Sequence, residues 1–442
     1  MKVQKFGGTS VGSAQRMKDV AKLIIGRGKN IVVLSAMSGT TNALVDISNC
    51  LYQKNMEGAK EVICNLQLKY DGVIDELLRD SDEHRRLALS AAHERFDYLR
   101  SMIRESFTAK EEREILSQGE LLSTMMMCHY LQSIGVNVVM LPALDFMRTD
   151  ENGEPDSAFI RDNLLGILDK NADADLYITQ GYICRNANGD VDNLQRGGSD
   201  YTASLIGAAV KADEIEIWTD IDGMHNNDPR FVQNTQPVSE LHFEEAAELA
   251  YFGAKILHPT CIQPAKVNNI PVHLLNTMEP SAPGTKIYNN LGKRGIKAIA
   301  AKDNITAIKI KSSRMLLAYG FLRKVFEIFE VHKTPIDMIT TSEVGVSVTI
   351  DTEKNLDRIV EDLKQFGTVT VDRDMVIVAA VGNLDWHNQA FEAEALDALK
   401  DIPVRMISYG GSNFNISFLV EQKDKVRALN LLSDHLFNNR KD

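Results

Sequence analysis

Apolar positions along the chain recur with two periods, and each change of period marks an element. Val3 to Phe6 predicts a short strand, Gly7 to Gly12 a glycine-rich loop, Ala14 to Gly26 a helix and Ile31 to Leu34 a buried strand. From Leu51 to Tyr130 the pattern is almost wholly helical, and Val136 to Leu141 returns to strand. This helical block is expected over one edge of a sheet. Further strands are expected at Leu176 to Thr179, Glu214 to Trp218 and Val272 to Leu275, separated by helices near Ser199 to Lys211, Phe243 to Phe252 and Thr260 to Val267. Asn188-Gly189 before Val191 is a hairpin signal. Strands alternating with helices imply α/β architecture around a mostly parallel, covered sheet.

Pro280, Pro283 and Gly284 break this pattern, which places a boundary near residue 290. Beyond it, strand at Ile305 to Lys311, helix at Phe321 to His332, strands at Ile336 to Ile339 and Val344 to Ile350, helix at Leu356 to Phe366 and strand at Val369 to Asp372 spell β-α-β-β-α-β. Met375 to Val381, Ala390 to Lys400, Val404 to Ser408, Asn415 to Val420 and Lys425 to His435 repeat it without the last strand. Lys297 to Ala301 can supply that strand. Counting strands therefore inserts a first unit, 304–373, inside a second made of 297–303 and 374–442.

The length of 442 residues fits roughly three domains at about 150 residues each. Forty-nine Lys and Arg against 61 Asp and Glu leave a net charge of −12, which disfavours nucleic acid as a partner. Any anionic ligand must be held by a local cluster of cations and backbone N–H groups. No apolar run reaches the ~20 residues of a membrane span, so no membrane partner is expected. The five cysteines lack metal-ligand spacing and read as reduced thiols of a cytoplasmic protein.

Lys5-Phe6-Gly7-Gly8-Thr9-Ser10 carries the strongest chemical signal: a lysine leaves a strand into two glycines and two hydroxyls ahead of a helix. Glycine amides and a helix N-terminus suit a phosphate, and a neighbouring lysine can neutralise charge on a transferring phosphoryl group. The residues alone leave a plain glycine turn with an exposed lysine equally open, and no Walker A sequence is present.

KFGGTSVG resembles the opening signature of aspartate kinases in the amino acid kinase superfamily. Ser35 to Asn42 is similar to that family's S-A-x-x-G-x-T-N loop, Ser117-Gln118-Gly119-Glu120 to its S-x-G-E, and Arg196-Gly197-Gly198-Ser199-Asp200 to its R-G-G-S-D. Trp218-Thr219-Asp220, Asp228-Pro229-Arg230 and Phe252-Gly253-Ala254-Lys255 resemble its nucleotide-side segments, and the C-terminal repeat resembles paired ACT domains. Gln195, His225 and Asn227 depart from the usual pattern.

The resemblance implies a three-layer αβα kinase domain over residues 1–290 followed by two ferredoxin-like ACT domains. It implies ATP-dependent phosphorylation of the L-aspartate side chain, the first step of lysine, threonine and methionine biosynthesis, with Mg²⁺ accompanying ATP and no metal ligands from the protein itself. Lys5 and Asp200 would be catalytic. Phe6, Gly7, Gly8, Thr219, Asp220, His225, Arg230, Lys255 and Ile256, with Lys5, would meet ATP. Thr41, Glu120, Arg196, Gly197, Gly198 and Ser199 would hold aspartate. Met315, Ala318, Gly320, Asp337 and Ser342 resemble the effector site of the lysine-sensitive monofunctional class, which makes L-lysine the expected inhibitor and a homodimer or dimer of dimers through the ACT domains the expected assembly. Leu317 and Ala318 stand where polar residues are usual. The rivals are a kinase for glutamate or N-acetylglutamate and an amino acid sensor that has lost turnover.

Overall fold

The computed structural model describes the chain except residues 105, 195–196, 254–257, 293, 313–318, 386, 388–390 and 439–442. It divides into two compact units, Met1–Gly223 with Leu257–Asn289, and Met224–Ile256 with Asn290–Asp442.

The first unit holds strands β1 (Lys2–Phe6), β2 (Asn30–Leu34), β3 (Val138–Leu141), β4 (Leu176–Gln180), the hairpin β5 (Ile183–Arg185) and β6 (Val191–Asn193), and β7 (Glu214–Thr219). After β8 (Glu240–His242), which belongs to the second unit, come β9 (Val272–Asn276) and β10 (Thr285–Tyr288). Its sheet runs β3-β4-β2-β1-β7-β9-β10, parallel but for β10. That agrees with the α/β sheet expected from the sequence.

Strand alternation sorts side chains onto two faces. On one face Phe6, Val32, Leu34 and Ile178 share a core with α1 (Ala14–Ile24), α2 (Thr40–Tyr52), α3 (Met56–Leu77), α4 (Asp82–Ser101) and α5 (Ala109–Ser133). The predicted helical block is thus three helices and the end of a fourth, each stopped where a side-chain cap opens the next: Asn55, Ser81 and Thr108 accept from backbone N–H groups. After the short α6 (Ala143–Phe146) and α7 (Ser157–Lys170), α8 (Gly198–Val210) covers the opposite face. There a Cβ on Gly207 would fall 2.5 Å from Ile215 Cδ1, so glycine lets helix and strand close together. Helix α9 (Phe243–Tyr251) lies in the second unit and α10 (Pro259–Val267) in the first.

The second unit is organised by two long antiparallel strands, β11 (Gly295–Lys311) and β14 (Thr368–Asn383). Between them run α11 (Phe321–Val331), β12 (Ile339–Ser342), β13 (Gly345–Ile350) and α12 (Leu356–Lys364); after them come α13 (Phe391–Ala398), β15 (Met406–Ser408), β16 (Asn415–Glu421) and α14 (Lys425–Ser433). The sheet order is β12-β13-β11-β14-β16-β15. Segments 297–301 and 305–311, separate in the sequence pattern, are one strand bent where Asn304 takes φ 61°, near the register shifts opposite Asp374 at φ 54°. The strand expected at Ile336 to Ile339 begins only at Ile339. Thr349 takes both preceding amides, Asp337 N–H on its carbonyl at 2.9 Å and Met338 N–H on its hydroxyl at 2.9 Å, which interrupts the ladder. One core packs Val232, α13 and α14 on one face of the β14–β16 pair, and a second packs α11 and α12 on β11 and β13.

Candidate active site

Register places the lysine. Val3 faces Ile215 and Lys5 faces Ile217, so Lys5 stands on the α8 face at the carboxyl end of β1, where parallel sheets hold ligands. Its Nζ lies 2.7 Å from Asp200 Oδ1 in the first turn of α8, and only 11% of the lysine side chain is exposed. A charged pair so sheltered keeps the ammonium aimed at one point. Gly7 N–H donates to Trp218 O at 3.3 Å, and a Cβ on Gly8 would fall 2.7 Å from Ala36 O, so the glycine pair lets the β1 and β2 ends approach.

These strand ends open on a cavity of about 460 Å³ lined by Gly8, Ser38, Thr41, Glu120, Tyr182 and Ser199 among others. Thr41 sits in the first turn of α2, which Gly39 starts at φ 80°. Glu120 comes from α5 on the opposite face of the sheet and is 5% exposed; its Oε1 accepts from Ala36 N–H at 3.2 Å. Burial with so little hydrogen bonding pushes the Glu120 carboxyl up to about 8. Ser199 Oγ accepts from Ser35 Oγ at 2.9 Å, and Gly197 and Gly198 turn into α8 at φ 71° and 48°. Lys5, Gly8, Thr41, Glu120, Gly198, Ser199 and Asp200 therefore converge on one end of the sheet. A buried carboxyl and the glycine turns at Gly8 and Gly198 thus line one cavity, a set suited to a zwitterion beside a phosphate.

Tyr182 was not singled out by the sequence. It holds φ 67°, rare for a bulky residue, because its N–H donates to Thr202 Oγ1 at 2.9 Å and its carbonyl accepts from Leu194 N–H at 2.7 Å. No sequence pattern announces that conformation.

Thr219 and Asp220 end β7 in the first unit, and Thr219 Oγ1 accepts from Ile221 N–H at 3.1 Å. His225 and Arg230 lie in the second unit, with His225 Nδ1 2.9 Å from Thr235 Oγ1. The Arg230 guanidinium, 68% exposed, is doubly bonded to Asp228, so a phosphate there must compete with that carboxylate. Of the expected effector residues, Gly320 caps α11 at φ 80° and Ser342 ends β12. Asp337 already carries partners: Lys302 Nζ at 2.7 Å and the Tyr251 hydroxyl at 2.9 Å share its Oδ1. Arg196, Lys255, Ile256, Met315 and Ala318 lie outside the described residues, as does Gln195.

The model of the amino acid kinase family matches residues 1–276, and an ACT domain model matches 378–436. The chain is 35% identical to aspartokinase 1, chloroplastic, of Arabidopsis thaliana over 98% of this chain and 80% of that protein. Among solved structures it resembles E. coli aspartokinase III in complex with aspartate and ADP (R-state), with TM-score 0.80, 32% identity and coverage of 99% of this chain and 100% of that one. The same enzyme in complex with lysine and aspartate (T-state) gives TM-score 0.78 at 32% identity and 99% coverage of both chains.

Proposed function

The chain belongs to the amino acid kinase family, and on that premise we propose that it is an aspartate kinase, converting ATP and L-aspartate to ADP and 4-phospho-L-aspartate for amino acid biosynthesis. The observation that carries this reading is the cavity lined by buried Glu120, Gly8 and Ser199, at the strand ends where the Lys5–Asp200 pair stands. Glu120 would take the α-ammonium of aspartate, with Thr41, Arg196, Gly197, Gly198 and Ser199 on its carboxylates. The side-chain carboxylate attacks the γ-phosphorus in line, which needs no general base. Lys5 and the Gly8 amide would offset charge on the phosphoryl oxygens, while the Gly7 N–H, bonded to Trp218 O, would hold the turn. Mg²⁺ would accompany ATP on its phosphates, neutralising their charge, and Asp200 would be the carboxylate to meet its waters. Thr219 and Asp220, in the same unit as the cavity, would add nucleotide contacts.

The regulatory half reads as two interleaved ACT domains that take L-lysine as inhibitor. Edge strand β12, with Ile339 43% exposed, and the adjoining Val344, 42% exposed, suit pairing with a second copy in a homodimer. No helix among the described residues is long and apolar enough to cross a membrane, which fits a cytoplasmic enzyme. Hydroxylamine trapping of the acyl phosphate is the test. Aspartate should give hydroxamate, while glutamate and N-acetylglutamate give none; ATP turnover on either rival acid alone would replace the assignment.

A further inference from the structure

The Asp337 carboxylate stands in an unusual charge environment. Its side chain is 2% exposed, its Oδ1 is shared by Lys302 Nζ and the Tyr251 hydroxyl, and among the described residues its Oδ2 has no hydrogen-bond partner. Lys302 Nζ also lies 3.0 Å from Asp351 Oδ2 and 4.6 Å from the centre of the Tyr251 ring. Two carboxylates thus divide one ammonium. A buried carboxylate oxygen without a donor is costly, and a second cation would relieve it.

We propose that Lys302 is a built-in ammonium competing with the amino acid effector for Asp337, and that the effector's ammonium takes Asp337 while Lys302 withdraws to Asp351. This deepens the regulatory part of the proposed function and rests on Asp337 belonging to the effector site. The geometry permits the exchange at low cost, since Asp351 is 39% exposed and already within hydrogen-bond reach of Lys302, so the displaced ammonium keeps a carboxylate partner. Burial opposes the Lys302 charge, but its hydrogen bonds to Asp337 and Asp351 outweigh that and raise its pKa, so the competitor is a full cation. Tyr251 is the last residue of α9 and lies four residues before Lys255 in the chain. Its hydroxyl bonds the same oxygen as Lys302, so a change of cation at Asp337 alters the anchor of the segment that leads to the expected phosphate contact.

Self-competition lowers apparent affinity by the fraction of time Asp337 is free, so removing the internal cation must raise it. Calorimetric titration of the full chain with L-lysine tests this in wild type, Lys302→Met and Asp351→Asn. Lys302→Met should tighten L-lysine binding by about tenfold or more. Asp351→Asn should weaken it, because Lys302 then has Asp337 as its one remaining carboxylate; a merely structural contact would not give opposite signs. Unchanged or weaker binding in Lys302→Met, unchanged or tighter binding in Asp351→Asn, or no heat with any of the three proteins overturns the proposal. Binding confined to Lys302→Met supports it. Aspartate-dependent ADP release, measured without L-lysine on the same samples, reports separately on the kinase reading.

Discussion

Lys5 has a carboxylate partner and a sheltered position at the carboxyl end of β1, and its charge is most valuable when negative charge moves across the γ-phosphoryl. Lys5→Ala should therefore lower kcat by at least ~100-fold while changing ATP affinity much less, as single-turnover and binding measurements would show. Glu120 has the opposite problem, since it is buried as an acid whose ionisation is suppressed to about pH 8. A group protonated in the empty site must release its proton before it can pair with the α-ammonium of aspartate. Below about pH 8 the affinity for aspartate should therefore rise with pH, by up to about tenfold per unit, and level off above it. Proton release on aspartate binding, read from titrations in buffers of different ionisation heat, should appear at pH 7 and vanish in Glu120→Gln.

The turn into α8 shows how an element end is built around one missing atom. A methyl on Gly197 would fall 1.7 Å from Cys261 Sγ of α10, at a φ of 71° that side chains rarely adopt. Burial pushes the Cys261 thiol up to about 12, so the sulfur is a neutral packing group. Gly197→Ala should destabilise by about 1–3 kcal/mol and raise the KM for aspartate more than that for ATP, because the displaced turn carries Gly198 and Ser199. Cys261→Ala should recover part of the lost stability in the double variant, leaving only the φ penalty. Independent, additive effects in denaturant titrations would show that the sulfur does not set the turn.

Residues 224–256 share a unit and a core with the regulatory strands: Val232 packs with Phe418 and Leu429, and Lys297 pairs with the fully buried Glu245 at 2.6 Å. An effector bound near Asp337 should therefore act on α9 as well as on β12 and β13. Hydrogen exchange should slow over Phe243–Tyr251 when L-lysine is added, while α3 and α4 in the other unit keep their rates. Asp337→Ala should abolish both this protection and lysine inhibition. Linkage adds that if L-lysine weakens aspartate binding, aspartate must weaken L-lysine binding by the same factor.

Much of this was legible in the chain because it is local. Strand and helix periods, the Lys5 to Ser10 turn and the helix-opening Gly-Gly-Ser are short-range patterns set by neighbouring residues, although the partners their side chains meet, Asp200 for Lys5 and Ser35 for Ser199, are distant in the chain. The convergence of Glu120 with Gly8 and Ser199 was available only through resemblance, since it joins elements from opposite faces of one sheet. Tyr182 at φ 67°, the fusion of 297–301 with 305–311 into a single strand, and the capture of Asp337 by Lys302 and Tyr251 were not legible at all. Backbone strain is stable only when distant partners hold it, strand continuity depends on a neighbour long enough to pair across the bend, and an ion pair depends on which charges burial brings within 3 Å of one another. Period and motif depend on the order of residues; these three depend on distances between segments far apart in that order, which folding alone brings together.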